Sequence, residues 1–415
     1  MIFGYNFFIQ FYGAVIKVFS LFNAKAKKWV AGRRNWQSGY AAKLKTDEQR
    51  IWVHCSSLGE FEQGRNLIEE MKSAYPGYKI VLTFFSPSGY EIRKNYEFAD
   101  YVFYLPADTK SNAQVFIDLI KPSLAVFVKY EFWYHYLHTL HQKKIPSVII
   151  SAAFREEQIF FKWYGGFFRK MLGFFNIIFV QDEKSKSLLH TIGTENTIVS
   201  GDTRYDRVLT ISAGAKKLPL IEKFVAGEPV IIAGSTWKED EIILKNQLPF
   251  LPGNYKLIIA PHEIDAGRLN EVKNAFPEAL FYSDLQNNAN SVSQYKVLII
   301  DNIGMLSSLY AYAKIAFVGG GFQKGGIHNI LEPAVFGAPV IFGPVYKKFV
   351  EANELVQLQY CFSVADNAGC KAIFSTLIND ETFYQTIHRG LKTFMQQKSG
   401  ATNRIIAEID KQHCL

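Results

Sequence analysis

Cysteine is scarce in this chain. Cys55, Cys361, Cys370 and Cys414 are the four in 415 residues, and they show neither metal-ligand spacing nor a disulfide framework. That excludes a stapled secreted scaffold and fits a reducing compartment. No Asp-x-Asp pair occurs, so a metal-held diphosphate has no obvious ligands here. No glycine cluster runs into Lys-Ser or Lys-Thr, which excludes a Walker A loop. Low-complexity tracts and short-period repeats are also missing, and disorder with them. Acid is short of base, 38 residues against 46, for a formal charge of +8. The excess gathers at Lys25, Lys27, Lys28, Arg33 and Arg34, behind an apolar opening, which suggests a membrane surface and not nucleic acid. What is present is a folded composition, 48% hydrophobic and 20% charged, long enough for two cores.

Ile2 to Phe22 is almost wholly apolar, yet Asn6, Gln10, Gly13, Lys17 and Ser20 recur at helical steps and make one polar or small stripe. Such a helix can lie in a membrane interface or span with its stripe shielded; the alternative is a buried N-terminal core helix. Ala24-Lys25-Ala26 mimics a signal cleavage site, but the cations follow the apolar run, whereas a signal needs them before it. With Trp29 and Trp36 among them, they match a cytoplasmic flank.

From Ile51 onward, β-branched or aromatic runs alternate with amphipathic segments: strands near 51–55, 79–84, 101–104, 123–128, 146–151 and 177–180, then 230–233, 255–260, 296–300, 315–318 and 338–342. This predicts an α/β fold, two doubly wound Rossmann-like domains whose parallel sheets are covered by helices. The pattern lapses around Gly201 to Pro229, which sets a boundary. The expected segments are 1–36, an anchor helix with a basic tail; 37–207, an acceptor-binding domain; and 208–415, a nucleotide-binding domain with terminal helices. Ligands bind off the carboxyl ends of such sheets, so the site is expected in the cleft between domains.

In the second domain, Gly319-Gly320-Gly321 ends a strand, and His328 or Asn329 is expected to open a helix through Leu331 to Phe336, whose N-terminus would suit a phosphate. Gly234-Ser235-Thr236, Pro261-His262 and Asp301-Asn302-Ile303-Gly304 add three more strand-end turns. Ser235 and Thr236 could cap the next helix or face a ligand. Glu332 suits either a helix start or ribose hydroxyls. In the first domain, Glu60 follows the turn Ser56–Gly59 and is a candidate general base. Glu131 is a second acid at the same sheet edge. Without metal ligands, a leaving phosphate would be neutralised by dipoles and cations, with Arg204 a candidate.

These residues resemble the bacterial 3-deoxy-D-manno-octulosonic acid (Kdo) transferases of lipopolysaccharide synthesis, which have the two-domain GT-B fold. Ser57-Leu58-Gly59-Glu60 is similar to the family's SxGE, and Gly326-Ile327-His328-Asn329-Ile330-Leu331-Glu332-Pro333-Ala334 to its GGHNPLEPA. Weaker likenesses are Lys129–Tyr134 to ETELWP, Gly201–Asp206 to GNLKFD, Gly234–Glu241 to GSTHxxEE, Pro261–Asp265 to PRHPER and Asp301–Leu306 to DTMGEL. His262 stands where the family has arginine, and Met305 where it has an acid. The resemblance implies Glu60, Glu131 and Arg204 as catalytic residues. It implies a donor site of Ser235, Thr236, Pro261, His262, Ile303, Gly304, Met305, Gly326, His328, Asn329, Ile330, Leu331 and Glu332. It further implies inverting, metal-independent transfer of Kdo from CMP-Kdo to a lipid A precursor, lipid IVA, at the cytoplasmic face of the bacterial inner membrane. No cofactor is implied beyond the CMP-activated donor. The rival readings are a GT-B enzyme using a UDP-sugar, transferase or epimerase, and a non-catalytic membrane-bound nucleotide binder.

Overall fold

A computed structural model describes residues 1–285 and 292–415. The chain divides into two compact units, Met1–Arg207 with Lys398–Leu415, and Val208–Gln397.

The first unit is built on strands β1 (Gln49–Cys55), β2 (Tyr78–Phe84), β3 (Tyr101–Tyr104), β4 (Pro122–Val128), β5 (Ser147–Ala152), β6 (Ile177–Val180) and β7 (Thr197–Val199). They form one parallel sheet in the order β3-β2-β1-β4-β5-β6-β7. The central strands are buried on both faces, which is why they read as continuous apolar runs and not as alternation. The helix Leu58–Ala74 follows β1. Ser57 caps it by accepting from the Gly59 N–H, and Phe61, Leu67, Ile68 and Met71 seat it on the sheet.

The second unit repeats the plan with β8 (Val230–Thr236), β9 (Lys256–Pro261), β10 (Leu280–Phe281), β11 (Val297–Ile299), β12 (Ala313–Val318), β13 (Val340–Phe342) and β14 (Cys361–Ser363). Their order is β10-β11-β9-β8-β12-β13-β14, again all parallel. In each sheet the switch point lies between the strand that begins it and the strand that begins its other half, β1 and β4 in the first, β8 and β12 in the second. The connections there leave to opposite faces and open a crevice at the carboxyl ends. Strands β7, β10 and β14 were not expected; at two or three residues each they carry too little periodicity to read.

Two expectations need correction. Residues 398–415, expected in the nucleotide-binding domain, belong to the first unit. The helix Ala401–Lys411 puts Ile405 and Ile409 into the core with Ile51, Phe61 and Ile80, and Asp206 accepts from the backbone N–H groups of Gly400 and Thr402 at 2.5 and 2.7 Å. The helix expected from His328 to Phe336 is a single turn, Leu331–Ala334. Pro333 supplies no N–H to it, and Gly337, at φ +82°, turns the chain away.

The N-terminal helix Ile2–Phe19 is long and apolar enough to cross a membrane by length and composition. It docks on the first unit by one edge: Tyr5 donates to Asp108 at 2.5 Å, Asn6 Oδ1 lies 2.6 Å from His135 Nε2, and Ile9 is buried. Phe3, Phe7, Phe8, Phe11 and Phe19 face outward, each more than half exposed.

Candidate active site

At the first sheet's switch point two acids stand on neighbouring strand ends. Glu60 lies in the first turn of the helix after β1, accepting from the Ser57 hydroxyl. Glu131 follows β4 and is buried. Its Oε2 lies 2.7 Å from Trp133 Nε1 and 3.2 Å from His54 Nε2. His54 is itself fully buried on β1, with Nδ1 2.9 Å from Thr83 Oγ1 on β2. The Thr83 oxygen accepts from Trp52 Nε1 at 2.8 Å, and its hydroxyl proton has two acceptors in reach, His54 Nδ1 at 2.9 Å and the more distant Val53 carbonyl at 3.5 Å. Trp133 Nε1 also lies 3.1 Å from His54 Nε2, but the carboxylate can only accept, so the His54–Glu131 contact is a hydrogen bond when His54 carries its proton on Nε2, and Trp133 then donates to Glu131 alone. Burial pushes the Cys55 thiol well up, and the negative charges of Glu60, Glu131 and Glu62 push it further.

Arg204 begins the helix Thr203–Ala213 and pairs with Asp202, Nε and Nη2 meeting Oδ2 at 2.9 and 2.7 Å. It follows β7 as Glu60 follows β1 and Glu131 follows β4, each at the carboxyl end of a strand in one parallel sheet. Glu60, Glu131 and Arg204 therefore share one edge of the first unit.

The expected donor residues likewise gather at the carboxyl edge of the second sheet. Ser235, next to last in β8, has left-handed backbone, φ +53°. Neither it nor Thr236 caps the following helix: the chain enters Lys238–Gln247 at Trp237, whose N–H donates to Asp240 Oδ2 at 2.8 Å. The Thr236 hydroxyl is spent internally on Glu241 Oε1 at 2.8 Å. His262, just past Pro261 at the end of β9, sits between two rings, 4.9 Å from Trp237 and 4.3 Å from His328 by centroid. Trp237 Nε1 donates to His328 Nε2 at 3.1 Å. Burial, and then His262, holds the His328 imidazole down at about 4, so His328 is neutral at pH 7.

Gly304 is left-handed at φ +97°, with Ile303 exposed and Met305 buried beneath it. Gly326, at φ +77°, packs against the Val345 carbonyl. Asn329 Oδ1 accepts from the Leu331 N–H at 3.1 Å and its amide donates to Glu332 Oε1 at 3.0 Å, with Ile330 buried between. One helical turn carries little dipole, so any anion held here relies on loop N–H groups and nearby cations more than on a helix end. Asp240, buried, clasps the turn by accepting from Gly320 N–H at 2.9 Å.

His54 and Thr83 are not singled out by the sequence, and Trp133, Trp237 and Asp240 stand there only inside family-like stretches with no role of their own. A signal existed for His54, a polar residue inside the apolar run IWVHC.

A sequence model of the family described as 3-deoxy-D-manno-octulosonic-acid transferase matches residues 33–207. A 3-deoxy-D-manno-octulosonic acid transferase of Haemophilus influenzae is 30% identical over 373 residues, 86% of each chain. The chain belongs to this transferase family. A bifunctional glycosyltransferase/methyltransferase of Fusobacterium nucleatum is 29% identical over 377 residues, 87% of this chain; the match spans 56% of that protein's length. Among solved structures, a UDP-GlcNAc 2-epimerase from Neisseria meningitidis bound to UDP-GlcNAc superposes with a TM-score of 0.60 at 16% identity, covering 88% of this chain and all of that one. At such identity it shows the shared GT-B fold alone. As a member of the family, the protein is a glycosyltransferase.

Proposed function

We propose that this Kdo transferase moves Kdo from CMP-Kdo to a hydroxyl of a lipid A precursor, lipid IVA, in one inverting displacement that needs no metal. The observation that carries the reading is the placement of Glu60 and Glu131 on adjacent strand ends, after β1 and β4. Glu60 takes the acceptor hydroxyl's proton as that oxygen attacks the anomeric carbon. The bond from that carbon to the CMP phosphate breaks, and its electron pair leaves with CMP. Glu131, fixed by His54 and Trp133, orients the acceptor. Arg204 opposes the charge that builds on the departing phosphate. Ser235, Thr236, Pro261, His262, Ile303, Gly304, Met305, Gly326 and His328 through Glu332 form the donor site. The apolar N-terminal helix and the basic residues behind it keep the enzyme on the cytoplasmic face of the inner membrane, where anionic lipid attracts them.

The test is release of CMP from CMP-Kdo by the full chain, with and without tetra-acylated lipid A precursor, with and without EDTA, following the lipid by mass. Acceptor-dependent release with a Kdo-sized gain, unchanged by EDTA, is expected. Release of UDP from a UDP-sugar in place of CMP would overturn the donor, and loss of activity with EDTA would overturn the metal-free mechanism.

A further inference from the structure

A cavity of about 430 Å³ opens beside Glu131, within the usual range for a ligand pocket. Its walls are mainly apolar: Phe8 and Ile9 come from the N-terminal helix, Phe132 from the segment after β4, and Ile159, Phe160 and Phe168 from the segment after β5, with Gln158 and the polar edges of Tyr5, Tyr130 and Trp133 between them. Glu131 is the one charged group among them. Glu131 commits Oε2 to His54 and Trp133, while Oε1 accepts no hydrogen bond from any described residue. At the other side Phe8 is 60% exposed and continues the outward face of Phe3, Phe7 and Phe11. An apolar surface thus runs from the outside of the helix to an acid with one free oxygen.

A nucleotide or a bare sugar would lay most of its hydroxyls on apolar ring faces, at a desolvation cost. A hydrocarbon chain gains about 25 cal/mol per Å² of apolar surface it covers there. The free Glu131 oxygen calls for a hydroxyl or amide N–H at the chain's inner end. A bilayer phospholipid would instead bring its phosphate toward that carboxylate. We infer that this pocket holds one acyl chain of the transferase's lipid acceptor, with a donor at the head of that chain on Glu131 Oε1. The inference rests on the lipid-acceptor reading above. It makes the N-terminal helix part of the acceptor site as well as an attachment to the membrane.

Two measurements on the full chain test it. A tetra-acylated acceptor carrying a diazirine in one acyl chain is expected to label peptides containing Phe8–Ile9 or Ile159–Phe168, undiminished by excess phosphatidylethanolamine vesicles. Label elsewhere, or label removed by the vesicles, overturns the proposal. In kinetics, Ile159→Trp narrows the pocket and should lower the preference for acylated over deacylated acceptor, as a ratio of kcat/KM, by about tenfold or more, the scale set by a misfit in an apolar pocket. An unchanged ratio in a folded Ile159→Trp overturns it. Phe168→Ala widens the same wall and should move the preference toward longer chains; an unmoved preference counts equally against the proposal. If the wild type transfers to neither acceptor, the function proposed above fails, and the label, which needs no turnover, still decides the pocket.

Discussion

His54 Nε2 lies 3.2 Å from Glu131 Oε2, with both side chains buried and strands β1 and β4 side by side beneath them. The imidazole is held from behind by Thr83, so it acts as a fixed N–H donor to the carboxylate. Its role is positioning. His54→Phe should lower kcat for transfer by about tenfold or more, the scale of one lost hydrogen bond to a buried charge, with CMP affinity unchanged. His54→Gln keeps an N–H and should recover part of the loss. A purely structural role would instead lower the melting temperature of both variants alike, with no difference in kcat between them.

Glu60→Gln retains a polar group on the first helical turn, where glutamine still serves the cap at Ser57. It should fold and bind CMP as the wild type does. Transfer should fall by at least about a hundredfold, the usual contribution of a general base. Full activity in this variant would end the assignment.

Gly234 has no room for a side chain: a Cβ there would meet the hydroxyl of the buried Tyr310 at 1.9 Å. Gly234→Ala should destabilise the second unit by about 1–3 kcal/mol, the range for overpacking. Adding Tyr310→Phe removes the nearest atom and should return part of the loss in thermal unfolding. No recovery would place the strain elsewhere.

Acidification should act on the second unit in two opposed ways. Burial holds Asp240 up at about 6, against an ordinary 3.8, so the folded state binds the extra proton in that window and gains stability as pH falls through it. His328, held down at about 4 from 6.5, has the opposite sign and costs stability as pH falls. Asp240→Asn removes the first effect. Its melting temperature should therefore drop more steeply than the wild type's between pH 6.5 and 4; parallel curves would contradict this.

The sheets were legible because their strands are buried on both faces, so strings such as IWVHC and VIIAG stand out against amphipathic neighbours. Glu60 and Glu131 were legible because each follows such a string directly. Less was visible where long-range contacts decide. The return of residues 398–415 depends on Ile405 and Ile409 meeting side chains hundreds of positions away, and an amphipathic helix does not say which core it will cover. The short helix at Leu331 looked longer because helical spacing continues to Phe336, while Pro333 and Gly337 act only through backbone geometry. The partnership of His54 with Glu131 needs the pairing of β1 with β4, which local pattern does not contain.

The crossing of residues 398–415 back into the first unit fixes an order of events during synthesis. Domains generally fold in the sequence in which they leave the ribosome. Here every strand of the second unit emerges before Ile405 and Ile409 can reach their places beside Ile51 and Phe61. The part of the molecule that carries both acids is begun first and sealed last.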